Sequence, residues 1–490
     1  MRTSGVLLHL SSLPGPHGVG DLGGEAARFA SFLRSAGQSW WQMCPLGPPG
    51  VSNSPYQVLS AFAGNPLFIS LEELVKQRLL EKRDLTGFPS APKKTQYADA
   101  WQFKKPRFRK AFFRFSIEGG LESAAFRAFC RRQAFWLDDY ALFCAIKESA
   151  GGAPWIAWDK DLRDRRPAAL AKAARLRRST MLYHQFLQFQ FFRQWIALKR
   201  ACAARGIGLI GDVPIFVAHD SADVWANQNL FFLDRAGKPI CVAGCPPDYF
   251  SRTGQRWGNP LYRWDALRRS GYAWWIKRFT TMFELFDAAR LDHFIGFENY
   301  WRIPAAHKTA ERGRWVKGPG AHFFQTVFGK LGRLNLIAED LGAVTPAVTA
   351  LRDKLGLPGM RVLQFAFSGD ASNPHLPRNY VPNTVAYTGT HDNDTTVGWF
   401  RKLSPAERGR VLNYPGVKGK EIHWDMIGLA VASVANTAVV PAQDLLGLGT
   451  EARMNFPGVP LGNWEWRLPK NCLKPDLARR LAKLTELHDR

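Results

Sequence analysis

Residues 286–292 read FDAARLD, a short apolar run that ends in an aspartate. If the run is a strand, Arg290 and Asp292 lie two residues apart and project to the same side. Seven more strand-like runs recur along the chain: 5–9 (GVLLH), 40–45 (WWQMCP), 208–212 (GLIGD), 334–339 (LNLIAE), 361–367 (RVLQFAF), 384–388 (TVAYT) and 438–441 (AVVP). Helical periodicity flanks several of them; Leu182, Phe186, Phe189, Phe192 and Ile196 follow one another at spacings of 4, 3, 3 and 4. Buried strands alternating with helices make parallel βα units, and eight such units predict an α/β fold, a closed (β/α)8 TIM barrel. The spacing is uneven. About 160 residues separate the second run from the third and over 70 the third from the fourth, so large insertions are expected after strands 2 and 3. The expected organisation is a single catalytic barrel over 1–490. A mainly helical insertion covers 50–205, and a second insertion, 216–285, contains a loop at 245–258 that could act as a lid.

The composition sets limits. The chain has 490 residues, 46% of them hydrophobic, 13% aromatic and 22% charged, which excludes disorder and fibrous repeats as its main state. Seven scattered cysteines, with no paired C-x-x-C spacing, form neither a disulfide framework nor a zinc ribbon and suit a reducing compartment. The apolar run near the start is short and contains His9, unlike a signal peptide. Residues 426–443 carry no Lys, Arg or Glu after Met426 but include Ser433, Asn436, Thr437 and Pro441. They read as a buried helix running into a buried strand rather than a membrane span. A soluble, cytoplasmic protein is expected.

The formal net charge is +25, and residues 101–200 hold 21 Lys and Arg against 8 Asp and Glu. Within them WQFKKPRFRKAFFRF (101–115) interleaves basic and aromatic residues as single-strand nucleic-acid grooves do, yet it also fits an amphipathic helix with a solvated basic face. No recognised nucleic-acid reader motif accompanies the charge. GVGDLG (18–23) matches G-x-G-x-x-G, but turn-rich sequence precedes it and SWWQM follows where a dinucleotide site needs an acid. A glycine-rich loop at the barrel mouth accounts for it better.

Three acids carry the chemistry. Asp292, Glu339 and Asp392 each follow a strand-like run, and acids at the C-terminal ends of barrel strands converge on one mouth. The cation Arg290 favours an ionised Asp292, which suits a nucleophile. One carboxylate ionised, one kept protonated, and aromatics to stack sugars together describe glycosidic chemistry.

At these residues the chain resembles the amylomaltase (4-α-glucanotransferase, disproportionating enzyme) family of the α-amylase clan. The resemblance runs from SGVLLHLSSLPGPHGVGDLG (4–23) through SPYQVLSAFAGNP (54–66), GDVPIFV (211–217), PPDYFSRTGQRWGNPLY (246–262), RLDHFIGF (290–297), AEDLG (338–342), PGMRVLQFAF (358–367) and GTHDNDTTVGW (389–399) to ARMNFPG (452–458) and GNWEWR (462–467). It implies that Asp292 is the nucleophile, Glu339 the general acid/base, and Asp392 the residue that holds and distorts the reacting sugar. Arg290, His391, Asp212 and Tyr56 would form that sugar's pocket. Tyr249, Phe250, Gln255 and Trp257 would contact sugar from an aromatic loop, and Phe365 would line the cleft. Two positions depart from the family's pattern: Ile295, where arginine is frequent, and Cys245, where valine is usual.

The resemblance further implies transfer of α-1,4-glucan segments between glucans, with maltooligosaccharides, amylose or glycogen as donors and glucose among the acceptors. It implies no metal and no organic cofactor; the chain stops soon after GNWEWR, so no β-sandwich is expected after the barrel. An α-1,4-glucan hydrolase would use the same carboxylates with water as acceptor. A basic nucleic-acid-binding protein is the more distant alternative.

Overall fold

The computed structural model describes residues 2–50, 52–89, 93–247, 251–459 and 461–490. Twelve strands occur among them: β1 (Thr3–Leu7), β2 (Trp40–Gln42), β3 (Gly208–Pro214), β4 (Cys241–Cys245), β5 (Gln255–Pro260), β6 (Ala288–Asp292), β7 (Asn299–Pro304), β8 (Arg314–Lys317), β9 (Leu336–Ala338), β10 (Gly359–Val362), β11 (Thr384–Tyr387) and β12 (Thr437–Pro441). Eight of them close a barrel in the order β1-β12-β11-β10-β9-β6-β3-β2, and every neighbouring pair is parallel. All eight expected runs contribute a barrel strand, so the fold is the (β/α)8 barrel.

The boundaries differ where a run outlasts its strand. The 361–367 run leaves the sheet at Val362, and Leu363–Phe365 coils into a 3-10 turn. The 40–45 run pairs only over Trp40–Gln42. The charge-free stretch after 426 resolves into the helix Ile422–Ala432 followed by β12, and no helix among the described residues is long and apolar enough to cross a membrane.

Inward side chains fill the barrel in layers. Leu7, Ile210, Ala288, Ile337, Met360, Val362, Val385, Tyr387 and Val439 form one interior cluster, while alternate residues such as Ala289, Leu291, Ala338 and Ala386 face the surrounding helices. The polar residues of the mouth continue the inward rows of this core.

Between β2 and β3 run the helices Tyr97–Ile117, Ala124–Ser149, Pro167–Leu176 and Arg178–Ala203. The last two long helices pack through aromatic pairs, with Phe129 against Phe189 and Phe192 at 5.6 and 5.4 Å. The buried face of Arg178–Ala203 is broader than the expected stripe and includes three glutamines, Gln188, Gln190 and Gln194. Gln188 exchanges hydrogen bonds with both backbone groups of Gly64 (2.8 and 2.9 Å), and Gln194 does the same with Ser70 (2.8 and 3.2 Å). These amides satisfy buried backbone of the 60–70 segment, which a strand neighbour would otherwise have to do.

The basic-aromatic stretch lies in the helix Tyr97–Ile117 and is not simply a solvated face. Lys104 is fully buried and donates to Asp21 Oδ2 (3.0 Å) and to the carbonyls of Leu67 and Ile69 (2.8 and 2.9 Å). Arg109 pairs with Glu148, Lys110 with Asp84, and Arg114 with Glu81.

After β3 the chain builds a feature not anticipated from its sequence, a four-stranded sheet in the order β5-β4-β7-β8. β4 and β5 pair antiparallel, with Cys245 opposite Gln255, so residues 255–258 of the expected loop belong to strand β5. Gly254 turns the chain back with φ +68°, and a Cβ there would sit 2.5 Å from the Cys245 carbonyl oxygen. Only glycine fits that return.

Candidate active site

β6 and β3 lie side by side with Arg290 directly opposite Asp212. Because Ala288 faces the barrel interior, Arg290 and Asp292 continue the same inward row towards the mouth. Arg290 is almost wholly buried, and its Nη1 donates to Asp212 Oδ1 and Oδ2 (3.0 and 2.7 Å) and to Asp292 Oδ1 (3.0 Å). Its Nη2 stands 4.0 Å from Glu339 Oε2. Burial would lower the guanidinium, but the Asp212 and Asp292 carboxylates outweigh it and hold Arg290 well above its usual value. One permanent cation therefore lies among three carboxyl groups.

Burial is also the main force on Asp212 and raises its carboxyl, against the opposing pull of Arg290. Tyr56 donates its hydroxyl proton to Asp212 Oδ2 at 2.7 Å. That hydroxyl has one proton only, so its 2.9 Å contact with His391 must run the other way, with Nε2–H of the imidazole donating. The Tyr56 and His391 rings stack at 5.3 Å.

His391 Nε2 also lies 3.4 Å from Asp392 Oδ2, while Asn455 Nδ2 donates to Asp392 Oδ1 at 2.6 Å. Burial works against the charge of His391, and the neighbouring Asp392 carboxylate prevails and raises the imidazole. Asp392 itself is held well below the usual carboxylate range: burial opposes its charge, but His391 and the Asn455 amide overcome that. Its side chain is 43% exposed to the cleft.

Glu339 is the first residue after β9 and turns inward in the same alternation as Ile337. Its Oε2 accepts the backbone N–H of His293 at 2.6 Å. Burial, reinforced by the nearby Asp292, pushes its carboxyl up to about 8, against the lowering effects of Arg290 and that N–H. It is protonated at neutral pH. His293 reaches Glu339 through a left-handed backbone turn, φ +51°, which a non-glycine residue adopts only when its surroundings impose it. Burial depresses its imidazole to about 4, leaving it neutral, and its ring meets Trp257 edge to face at 4.9 Å.

A cleft of 370 Å³ opens over these groups, lined by Tyr56, Gln255, Trp257, Asp292, His391 and Asp392 among others. Gln255 and Trp257 come from β5, where Trp257 Nε1 donates to Gln255 Oε1 at 3.2 Å, and Gln57 ties this strand to the Tyr56 loop through Asn259 (2.8 Å). Asp212, Arg290 and Glu339 form the layer beneath. Phe365 packs against the interior cluster of the barrel and meets His375 edge to face at 5.5 Å. Tyr249 and Phe250 lie outside the described residues. Of the two departures noted above, Ile295 is buried in the main core and Cys245 ends β4.

Four members of the site were not anticipated: His293, Arg453, Asn455 and Trp464. Arg453 Nη2 donates to the Asp392 carbonyl at 2.6 Å, and Trp464 meets both Tyr56 and His391 at 5.7 Å. The stretches ARMNFPG and GNWEWR hold three of them, but neither follows an apolar strand run that would have placed it at the mouth.

Comparison with known proteins gives one answer. A family model described as 4-alpha-glucanotransferase matches residues 8–473. The 4-alpha-glucanotransferases of Thermus thermophilus and Synechocystis are each 50% identical, over 100% of this chain and 99% and 98% of theirs. The structure of an amylomaltase from Streptococcus agalactiae in complex with acarbose superposes with a TM-score of 0.95 at 37% identity, covering 100% of both chains. An amylomaltase from Corynebacterium glutamicum shares the fold at a TM-score of 0.78 and 20% identity, over 99% of this chain and 75% of that one. With matches over its whole length, the chain belongs to the 4-α-glucanotransferase (amylomaltase) family.

Proposed function

We propose that this barrel cleaves an α-1,4-glucan and passes the glycosyl piece to the 4-hydroxyl of another glucan, with the residue roles that follow. The protein is a 4-α-glucanotransferase acting on α-glucans. Asp292, ionised beside Arg290, attacks the anomeric carbon while Glu339 protonates the departing glycosidic oxygen. This leaves a covalent glycosyl-enzyme on Asp292 and a carboxylate on Glu339. An acceptor hydroxyl then gives its proton to Glu339 and attacks the same carbon, freeing Asp292. Two inversions give net retention.

The observation that carries this reading is the contrast between two carboxyl groups around one guanidinium. Glu339 is buried and protonated to about 8, whereas Asp292 takes a direct 3.0 Å hydrogen bond from Arg290. Acid and nucleophile roles separate in this way when their environments differ. Tyr56, Asp212 and His391 would hold the hydroxyls of the reacting sugar, and Asp392 would distort it towards the transition state. Trp257, Gln255 and the loop residues Tyr249 and Phe250 would carry the acceptor. Glucose and the maltooligosaccharides are the proposed acceptors, and the cytoplasm is the proposed setting.

Maltotriose tests the reaction. Each transfer consumes one glycosidic bond and makes another, so glucose and chains longer than three units should accumulate while total reducing ends stay constant. Added glucose should shorten the ladder. A rise of reducing ends in step with glucose, without longer chains, would identify the hydrolase instead.

A further inference from the structure

The glycine-rich stretch GPHGVGDLG (15–23), which has no part in the transfer chemistry, follows β1 and gives two side chains to a cluster away from the cleft. His17 and Asp21 come from it, and Glu72 comes from the short helix Leu71–Lys76 in the chain after β2. One nitrogen or oxygen of each lies within 4.8 Å of the other two. None of these residues lines the catalytic cleft.

The imidazole is held as a metal ligand would be. His17 is 2% exposed, its ring stacks on Phe103 at 5.0 Å, and Phe88 meets it edge-on at 6.2 Å. Its Nε2 lies 3.3 Å from the Leu85 carbonyl, which can only accept, so Nε2 carries a proton. Nδ1 is buried without a hydrogen-bond partner among the described residues, and Glu72 Oε1 stands 4.0 Å from it. Protonating Nδ1 would not pair it, because 4.0 Å exceeds hydrogen-bond reach. A backbone carbonyl on one ring nitrogen and a bare lone pair on the other is the arrangement that orients a ligating histidine.

The carboxylates are supported from behind as well. Asp21 Oδ1 accepts the Gly23 N–H at 3.1 Å and Oδ2 the Lys104 ammonium at 3.0 Å. Ser70 Oγ donates to Glu72 Oε2 at 2.9 Å, leaving Oε1 on the His17 side. Lys104 balances one of the two negative charges and leaves the other. Metal–ligand bonds of about 2.0–2.2 Å bring ligand atoms within about 4 Å of one another, so closure asks for a movement of about 1 Å. Glu72, with a side chain 38% exposed, can supply it, and the same side gives an ion its way in. An imidazole beside two carboxylates suits zinc better than calcium or magnesium, which take oxygen ligands.

We propose that His17 Nδ1, Asp21 and Glu72 bind one zinc ion, which clamps the loop after β1 to the chain that opens the helical insertion. The ammonium of Lys104 beside Asp21 limits the affinity, so the site should fill at micromolar rather than nanomolar zinc. It takes no step in glycosyl transfer.

The test strips the full chain with chelator and compares it with His17→Phe, which keeps the ring stack, and Glu72→Gln. The second change falls on a partly exposed side chain and leaves a folded protein to measure even if the first does not. Calorimetric titration with zinc should show one equivalent bound to the wild type at least about tenfold more tightly than to either variant. Saturating zinc should raise the wild-type melting temperature by at least about 2 °C and those of the variants by less. Maltotriose turnover without zinc should stay within about twofold in both variants. Cobalt(II) then reports the ligands through its visible absorption, with a nitrogen–oxygen spectrum in the wild type that both variants lose. Thiolate-type absorption, equal in all three proteins, would place the ion on cysteines and overturn the proposal. So would zinc binding that both substitutions leave unchanged, or stabilisation by calcium and not by zinc.

Discussion

Arg290 stands opposite Asp212 across β6 and β3, and one of its nitrogens, Nη1, reaches both oxygens of that carboxylate at 2.7 and 3.0 Å. The same nitrogen holds Asp292, so the pair links the floor of the barrel to the reacting layer. Removing one partner from a buried ion pair strands the other charge. Arg290→Ala should destabilise the protein by about 3–5 kcal/mol as well as abolish transfer. Chemical denaturation and the maltotriose assay check the two losses together; an inactive variant of wild-type stability would contradict the structural half of this role.

Asp292→Asn should behave differently. Its side chain is at the cleft edge and 26% exposed, so the amide can be accommodated. Turnover should fall by at least about 10³-fold with the melting temperature little changed. Retention of a tenth of the wild-type rate would require another nucleophile.

The raised Glu339 carboxyl has consequences for rate and for stability. Donation to the leaving oxygen needs the protonated form, so the glycosylation step should decline as pH rises through about 8. The folded state also binds this proton more tightly than the unfolded chain, whose glutamate titrates near 4.5. Stability from Glu339 is thus fully present below about 4.5 and is lost as pH rises towards 8. Glu339→Gln should gain on the wild type in melting temperature across that window. A difference in melting temperature independent of pH would refute the shift.

Tyr56→Phe removes the donor to Asp212 and the acceptor for His391 while keeping the stacked ring. A hydrogen bond to a charged group contributes about 1.5–3 kcal/mol, so kcat/KM should drop by roughly 10- to 100-fold. Steady-state kinetics on maltotriose measure it, and an unaltered value would place Tyr56 outside the reacting sugar's pocket.

Trp257, the third residue of β5, lines the cleft and meets His293 edge to face. Trp257→Ala should divert the glycosyl-enzyme towards water, seen as a growing share of reducing ends relative to transfer products. Equal losses with sugar and water acceptors would show that the ring only packs.

The barrel and the acids at its mouth are legible locally. A buried parallel strand must be a short apolar run, and the residue after it must emerge at one mouth; FDAARLD and LNLIAE state both facts within seven residues, and the two-residue period puts Arg290 and Asp292 on one side. The family motifs add Tyr56, Asp212 and His391 as residues of the same site. Their mutual contacts belong to barrel closure, which brings Tyr56 to His391 from 335 positions away and seats Asn455 on Asp392 from 63. The hairpin sheet β5-β4-β7-β8 and the protonation of Glu339 are likewise products of packing. Antiparallel partners are chosen across the fold, and a carboxyl is raised by the burial and charges that surround it in three dimensions rather than by its neighbours in the chain.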